Sequence, residues 1–348
     1  MPQITVMGAG IFGLSAAWEL ARRGASVRVI EAVRVGGGSS GGVVGALAPH
    51  VPEQWDTKKA FQFDSLLMAE GFWRDVALAG GADPGYARLG RVQPLVDEAA
   101  VSRARVRGEN ARDLWQGRAD WRVVPVAQVP GMRVLAATGL IIHDTLTARL
   151  SPRDATAALV AALATKGVAV ERGSRAPDAG TILWATGAQG LADLGADLGQ
   201  PMGNGVKGQA ALLAADWRQA PQLFADGVHI VPHGDGTTAI GSTSERDFAA
   251  ADTTDAQLDD LITRVRTVAP DLAQAAVLER WAGVRPRGPS RAPMLGAWPD
   301  RPDHFVLNGG FKIGFGMAPR LAHLAADLLL DGHDAVPDGF RVTDNLRA

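Results

Sequence analysis

A short apolar strand that runs straight into glycines and then into a helix leaves a chain few folds to choose from. Ile4 to Met7 reads as a buried parallel strand, Gly8-Ala9-Gly10-Ile11-Phe12-Gly13 follows, and Leu14, Ala17, Trp18 and Ala21 then recur at helical spacing. Gly24 ends this helix, and Ser26-Val27-Arg28-Val29-Ile30 forms a second strand that delivers Glu31 at its carboxyl end. Gly8 permits the tight turn, Gly10 lets the backbone approach a pyrophosphate, and Gly13 lets helix and strand pack closely. The helix N-terminus adds free N–H groups and the positive end of its dipole. A carboxylate at Glu31 accepts hydrogen bonds from ribose hydroxyls and disfavours a 2′-phosphate. The unit predicts a Rossmann-like α/β fold that binds FAD or NAD rather than NADP, against the plainer alternative of a structural glycine turn.

At 348 residues the chain suits two domains, or one α/β body with an insertion. Lys plus Arg 35 against Asp plus Glu 37 leaves a net charge of -2, so there is no basic field to recruit nucleic acid or an anionic bilayer. A small neutral or zwitterionic partner fits this balance. The absence of cysteine excludes disulfides, cysteine-held metals, thiol nucleophiles and a cysteinyl cofactor link, so redox chemistry must come from a bound cofactor. No apolar run approaches the ~20 residues of a membrane span, and no basic leader precedes the first strand, which together predict a cytoplasmic protein. The seven histidines are scattered, without HExxH spacing, and neither Gly187-Ala188-Gln189-Gly190 nor Gly241-Ser242-Thr243-Ser244 is a GxSxG elbow, which argues against a metal site and against hydrolysis.

After the acid comes Gly36-Gly37-Gly38-Ser39-Ser40-Gly41-Gly42-Val43-Val44-Gly45-Ala46-Leu47-Ala48-Pro49, too glycine-rich for a strand or helix. Flexible linkers seldom lead into such an apolar stretch, so a second loop lying along an extended cofactor fits better. With the first motif, this segment resembles the FAD-dependent D-amino acid oxidase and glycine oxidase superfamily, where it contacts the pyrophosphate and flavin. Thr181-Ile182-Leu183-Trp184-Ala185-Thr186-Gly187 looks like the strand that returns to the FAD domain. Phe305 to Asn308, the glycine-rich Gly309 to Gly316 and the apolar helix beyond look like the element that meets the flavin ring. Gly283-Val284-Arg285-Pro286 is similar to the family's Gly-x-Arg-Pro segment, whose arginine fork holds the substrate carboxylate.

The resemblance implies non-covalent FAD held by Gly8, Gly10, Ile11, Phe12, Gly13, Glu31, Ala32, Gly38, Ser39, Ser40, Gly45, Ala46, Leu47, Ala185, Thr186, Gly187, Gly310, Phe311, Lys312, Ile313, Gly314, Phe315, Gly316 and Met317. It makes Arg285 the carboxylate anchor, with Lys312 and His229 around it. Two departures stand out. Phe311-Lys312-Ile313-Gly314 replaces Phe-Arg-Asn-Gly, which keeps a cation but loses the fork, and the only tyrosine is Tyr86. Val228-His229-Ile230-Val231-Pro232 places His229 where the family has a tyrosine, although a strand histidine is as readily structural. A histidyl flavin link through His50 stays open, with a simple loop residue as the plainer reading.

Further along, residues 52 to 80, 98 to 117 and 255 to 268 read as helices, and Ser151 with Pro152 caps another that runs to Lys166. Strands are expected near 91 to 96, 208 to 214, 228 to 233 and 237 to 242. The FAD-binding domain is expected over 1–80, 151–205 and 300–348, interleaved with a substrate domain on a mixed or antiparallel sheet over 81–150 and 206–299. The reading is a flavoprotein that oxidises the C–N bond of a small amine or amino acid of the glycine, sarcosine or D-amino acid type. Hydride would pass to flavin N5, giving an imine, and electrons would go on to oxygen or another acceptor. Three alternatives stand beside it: a dehydrogenase with a non-oxygen acceptor, a flavoprotein subunit with a vestigial substrate site, and an NAD-only dehydrogenase. The last leaves both later glycine segments without a task. Oligomeric state is open.

Overall fold

The computed structural model describes residues 3–346. Two sheets organise them. The six-stranded sheet runs Met294–Ala297, His304–Asn308, Thr181–Trp184, Gln3–Met7, Ser26–Glu31, Val170–Arg172, parallel throughout except for the antiparallel edge strand Met294–Ala297. Strand order reverses at Gln3–Met7, so a crevice opens beyond its carboxyl end, where doubly wound sheets bind their ligands. Helices Ile11–Arg22, Thr57–Gly80, Pro152–Ala164 and Gly314–Asp331 pack on one another and cover this sheet. Helix Ile11–Arg22 is buried from Ile11 through Ala21, which explains its small and apolar composition. Its one buried carboxylate, Glu19, takes hydrogen bonds from Arg22 and Arg23.

The eight-stranded sheet runs Val277–Arg287, Asn204–Leu213, Thr238–Gly241, Val228–Pro232, Gln222–Ala225, Arg91–Pro94, Leu140–Asp144, Trp121–Pro125. It is mixed, with the single parallel pair Gln222–Ala225 and Arg91–Pro94. Its outer face buries Ile230, Ile240 and Ala211 against helix Ala256–Val268, which Asp255 caps. On its inner face Ala210 and Ala239 pack on Val43 of the glycine segment after Glu31. Among the described residues no helix is long and apolar enough to cross a membrane.

Several local expectations shift. The helix expected from 52 starts at Thr57, because the Asp56 side chain accepts from the Lys59 N–H at 2.8 Å and stops it there. The glycine-rich segment holds a one-turn 3-10 helix at Ser39–Gly41, and its apolar end forms a two-residue strand, Ala46–Leu47, paired with Ala148–Arg149. Met294–Ala297 pairs in the six-stranded sheet although it precedes residue 300, so sheet membership changes ahead of the expected boundary. Arg285 sits in an eleven-residue strand, which tolerates Pro286 because it lies near the end, where the missing N–H costs the ladder little.

Candidate active site

The ends of three parallel strands build the cradle. Gly8 has φ +105°, and a Cβ on it would stand 2.5 Å from the Ala185 carbonyl oxygen. A Cβ on Gly13 would stand 2.0 Å from the Gly8 oxygen, so helix and turn can touch only while both are glycine. Glu31 Oε2 accepts from the Ala9 N–H at 2.7 Å and Oε1 from Val33 N–H at 2.9 Å, which fixes the carboxylate at the crevice with Ala32 in the turn between. Ala185 donates to the Met7 carbonyl at 2.8 Å, and Thr186 and Gly187 open the next helix beside it. Asn308, missed in the sequence, ties the far side: its Nδ2 donates to the Gly187 carbonyl at 2.9 Å and its Oδ1 accepts from Gly309 N–H at 2.8 Å. The signal was there in a polar residue ending an apolar strand just before two glycines.

The second glycine segment folds over this cradle. Ser40 Oγ accepts from the Ile11 N–H at 2.9 Å, capping the helix from 29 positions away, while Gly38 and Ser39 lead into that turn. Phe12 is buried beneath Gly310, whose Cβ would stand 2.7 Å from its ring. Gly45, at φ +67°, carries the chain past the Leu150 carbonyl into Ala46 and Leu47. Arg153, also missed, joins the two sheets: its Nε donates to the Gly41 carbonyl at 2.9 Å and its fork holds Glu279 at 2.8 and 2.5 Å. His50 is held by Gln62 through its backbone N–H at 2.8 Å and lies in a loop.

The third segment closes the opposite wall. Phe311, at φ +42°, donates its N–H to the Pro286 carbonyl at 2.9 Å, and Gly310 bridges to Arg287. Ile313 precedes helix Gly314–Asp331, which has no side-chain cap; the Met317 N–H is taken by the Ile313 carbonyl at 3.0 Å, and the N–H groups of Gly314 to Gly316 with the positive dipole end face an electron-rich group.

Arg285, Lys312 and His229 come from three separate elements, and Lys312 is near enough for charge to act between it and each of the others. Arg285 is 8% exposed and has no carboxylate within ion-pair distance among the described residues; burial lowers it to about 10 against the opposing pull of Glu245. Lys312 keeps an exposed side chain at the mouth, yet burial and the Arg285 charge lower it. Its charge also acts on His229, which burial, Arg91 and Lys312 push down to about 3, so the imidazole is neutral at working pH. His229 packs against Phe224, with ring centroids 4.6 Å apart, and its buried Nδ1 has no hydrogen-bond partner. Arg91 beside it is neutralised by Asp144 at 2.9 Å. Tyr86 is elsewhere: its hydroxyl is buried without a partner and pushed up to about 12 by burial.

A bare glycine cradle at a switch point, a carboxylate at the second strand's end and an uncapped helix start opposite them define a dinucleotide-dependent redox protein, and these residues fit FAD. The chain belongs to the DAO family of FAD-dependent oxidoreductases, whose pattern matches residues 3–328. The glycine oxidase of Geobacillus kaustophilus is 25% identical over 94% of this chain and 92% of its own length. A crystal structure of glycine oxidase from that organism superposes with TM-score 0.82 at 23% identity, covering 97% of each chain. That of iminodiacetate oxidase from Chelativorans sp. BNC1 gives 0.83 at 22%, over 96% of this chain and 97% of the other. FAD is the cofactor, and the protein is an oxidoreductase.

Proposed function

We propose that this enzyme oxidises the C–N bond of a small amine that carries a carboxylate, of the glycine, sarcosine or D-amino acid type. The observation that carries the reading is Arg285: a buried guanidinium without a carboxylate partner, close enough to Lys312, just ahead of helix Gly314–Asp331, for its charge to act there. A buried, unpaired cation is costly, and an incoming carboxylate removes that cost. The match to glycine oxidases, and to an oxidase named for a secondary amine, supports the same class.

Bound FAD supplies the two-electron acceptor. Gly8, Gly13, Glu31 and Ser40 would hold its adenosine and phosphates, and the uncapped first turn of Gly314–Asp331 would stabilise negative charge on its ring. Arg285 grips the substrate carboxylate with two parallel N–H donors and thereby fixes where the adjacent carbon stands. Lys312 adds a second positive charge at the mouth. Both cations disfavour an ammonium nearby, and the neutral His229 offers it no anion, so the site selects the uncharged amine that C–N oxidation requires.

The test is the visible spectrum of the holoprotein under anaerobic conditions, before and after a mixture of glycine, sarcosine, proline and small D- and L-amino acids. Bleaching of the flavin band is expected, and fractionating the mixture then names the amine. A band that stays through the whole mixture refutes the reading.

A further inference from the structure

The Arg285 guanidinium lies where another residue's side chain would be. On the inner face of the large sheet, Gly208 pairs with Gly283 across the ladder. A Cβ on Gly208 would stand 1.7 Å from Arg285 Nη1 and 2.2 Å from both Cζ and Nη2. A Cβ on Gly283 would stand 2.4 Å from the Trp281 ring. The bare glycine pair is thus a floor over which Trp281 and Arg285, two residues to either side of Gly283, fold toward each other. Along the edge of this slot runs the chain that follows Gly241. The Thr243 carbonyl accepts from Arg285 Nη1 at 3.4 Å, the only hydrogen bond that guanidinium makes among the described residues.

Thr243 is held in turn from below. Its N–H donates to the Gln209 carbonyl at 3.1 Å, and its hydroxyl donates to Glu245 Oε1 at 2.5 Å. Gln209 Nε2 donates to the same oxygen at 3.0 Å, and Lys207 stands 3.5 Å from the other. Glu245 is 7% exposed and Lys207 2%. With its charge matched by Lys207, Glu245 moderates Arg285 without pairing to it, and apart from the long bond from Nη1 to Thr243 the Arg285 donors stay free for a ligand.

We infer that Gly208 and the Thr243–Glu245 pair are positioning residues for Arg285: Gly208 provides the slot for its guanidinium, and Glu245 holds Thr243 at the slot's edge. This rests on Arg285 binding a carboxylate. The probe is glycolate, a carboxylate without an amine, titrated into the holoprotein by flavin difference spectroscopy. Arg285→Leu comes first; unchanged glycolate affinity there defeats the carboxylate anchor itself. With that anchor standing, Gly208→Ala is expected to raise the glycolate Kd at least tenfold with FAD still bound. In the Arg285→Leu background the same change is expected to have no further effect. An equal loss in both backgrounds, or no loss in the first, overturns the slot. Should Gly208→Ala fail to fold, the Gly208→Ala/Arg285→Leu double variant, with the slot emptied, is expected to fold and bind FAD, and its failure overturns the inference. Glu245→Gln keeps the acceptor for Thr243 but removes the competing charge, so glycolate is expected to bind several-fold tighter, with KM for the amine lowered and kcat unchanged. Unchanged or weaker binding overturns the role of Glu245.

Discussion

Exchanging Arg285 for methionine separates what the residue does for the fold from what it does for a ligand. Burial takes Arg285 from the usual arginine range down to about 10, with Glu245 pulling the other way. A fall of that size corresponds to about 3 kcal/mol by which folding disfavours the charged side chain. At 8% exposure, solvent discounts this little. The long hydrogen bond to the Thr243 carbonyl, at 3.4 Å, returns at most about 1 kcal/mol. An unbranched methionine can lie over Gly208 in the same slot, so Arg285→Met is expected to stabilise the holoprotein by about 1–2 kcal/mol, a rise in Tm of about 2–6 °C. The sign with pH follows from a cation whose folded value is depressed: the penalty is complete below about 10 and fades as pH climbs from there into the ordinary arginine range, so the advantage of methionine shrinks over that window. Over the same exchange, glycolate affinity is expected to fall about 100-fold or more, the loss that follows removal of one partner from a buried charged pair. Thermal unfolding at neutral pH and flavin difference titration read the two effects separately. A variant that is less stable by more than about 1 kcal/mol and still binds glycolate as before would refute the reasoning.

Other perturbations test the remaining parts. Gly13→Ala places a Cβ 2.0 Å from the Gly8 oxygen, so the protein is expected to purify without its flavin band, read as the ratio of visible to ultraviolet absorbance. Glu31→Gln leaves an acceptor for Ala9 but removes the charge at the ribose site, and FAD is expected to bind about 10-fold more weakly in fluorescence titration. The Lys312 charge draws a carboxylate below its lowered pKa and is lost as pH rises through it; Lys312→Arg is expected to move the alkaline fall of kcat/KM to higher pH, and an unmoved limb would exclude Lys312 from binding. Arg153→Ala cuts the link from Gly41 to Glu279, and since that pair is partly exposed, a loss of only about 1 kcal/mol is expected in thermal unfolding.

The FAD cradle was legible because its parts are contiguous. Strand, glycine turn, helix and acid occupy residues 4 to 31, and Gly8 and Gly13 are demanded by backbone contacts made within that unit or with the strand beside it. Periodicity also located helices such as Pro152–Ala164, whose Ser151 cap and Pro152 start are local signals. The family followed from three such glycine segments in order. Strands Leu140–Asp144 and Gln222–Ala225 were not legible, being short runs whose pattern gains meaning only beside their partners.

What local sequence determined, then, is every feature whose cause lies within a few residues: the turn at Gly8, the buried helix after it, the free first turn at Gly314. Tertiary structure alone decided which distant side chains share a space. Ser40 caps a helix that begins at Ile11, Lys312 brings its charge to both Arg285 and His229, and the Arg285 guanidinium rests on Gly208 beside Thr243. Such meetings depend on the register between strands far apart in the chain, where a shift of one residue turns a side chain to the other face. No pattern in a single strand contains that register; it is fixed by the packing of both sheets at once.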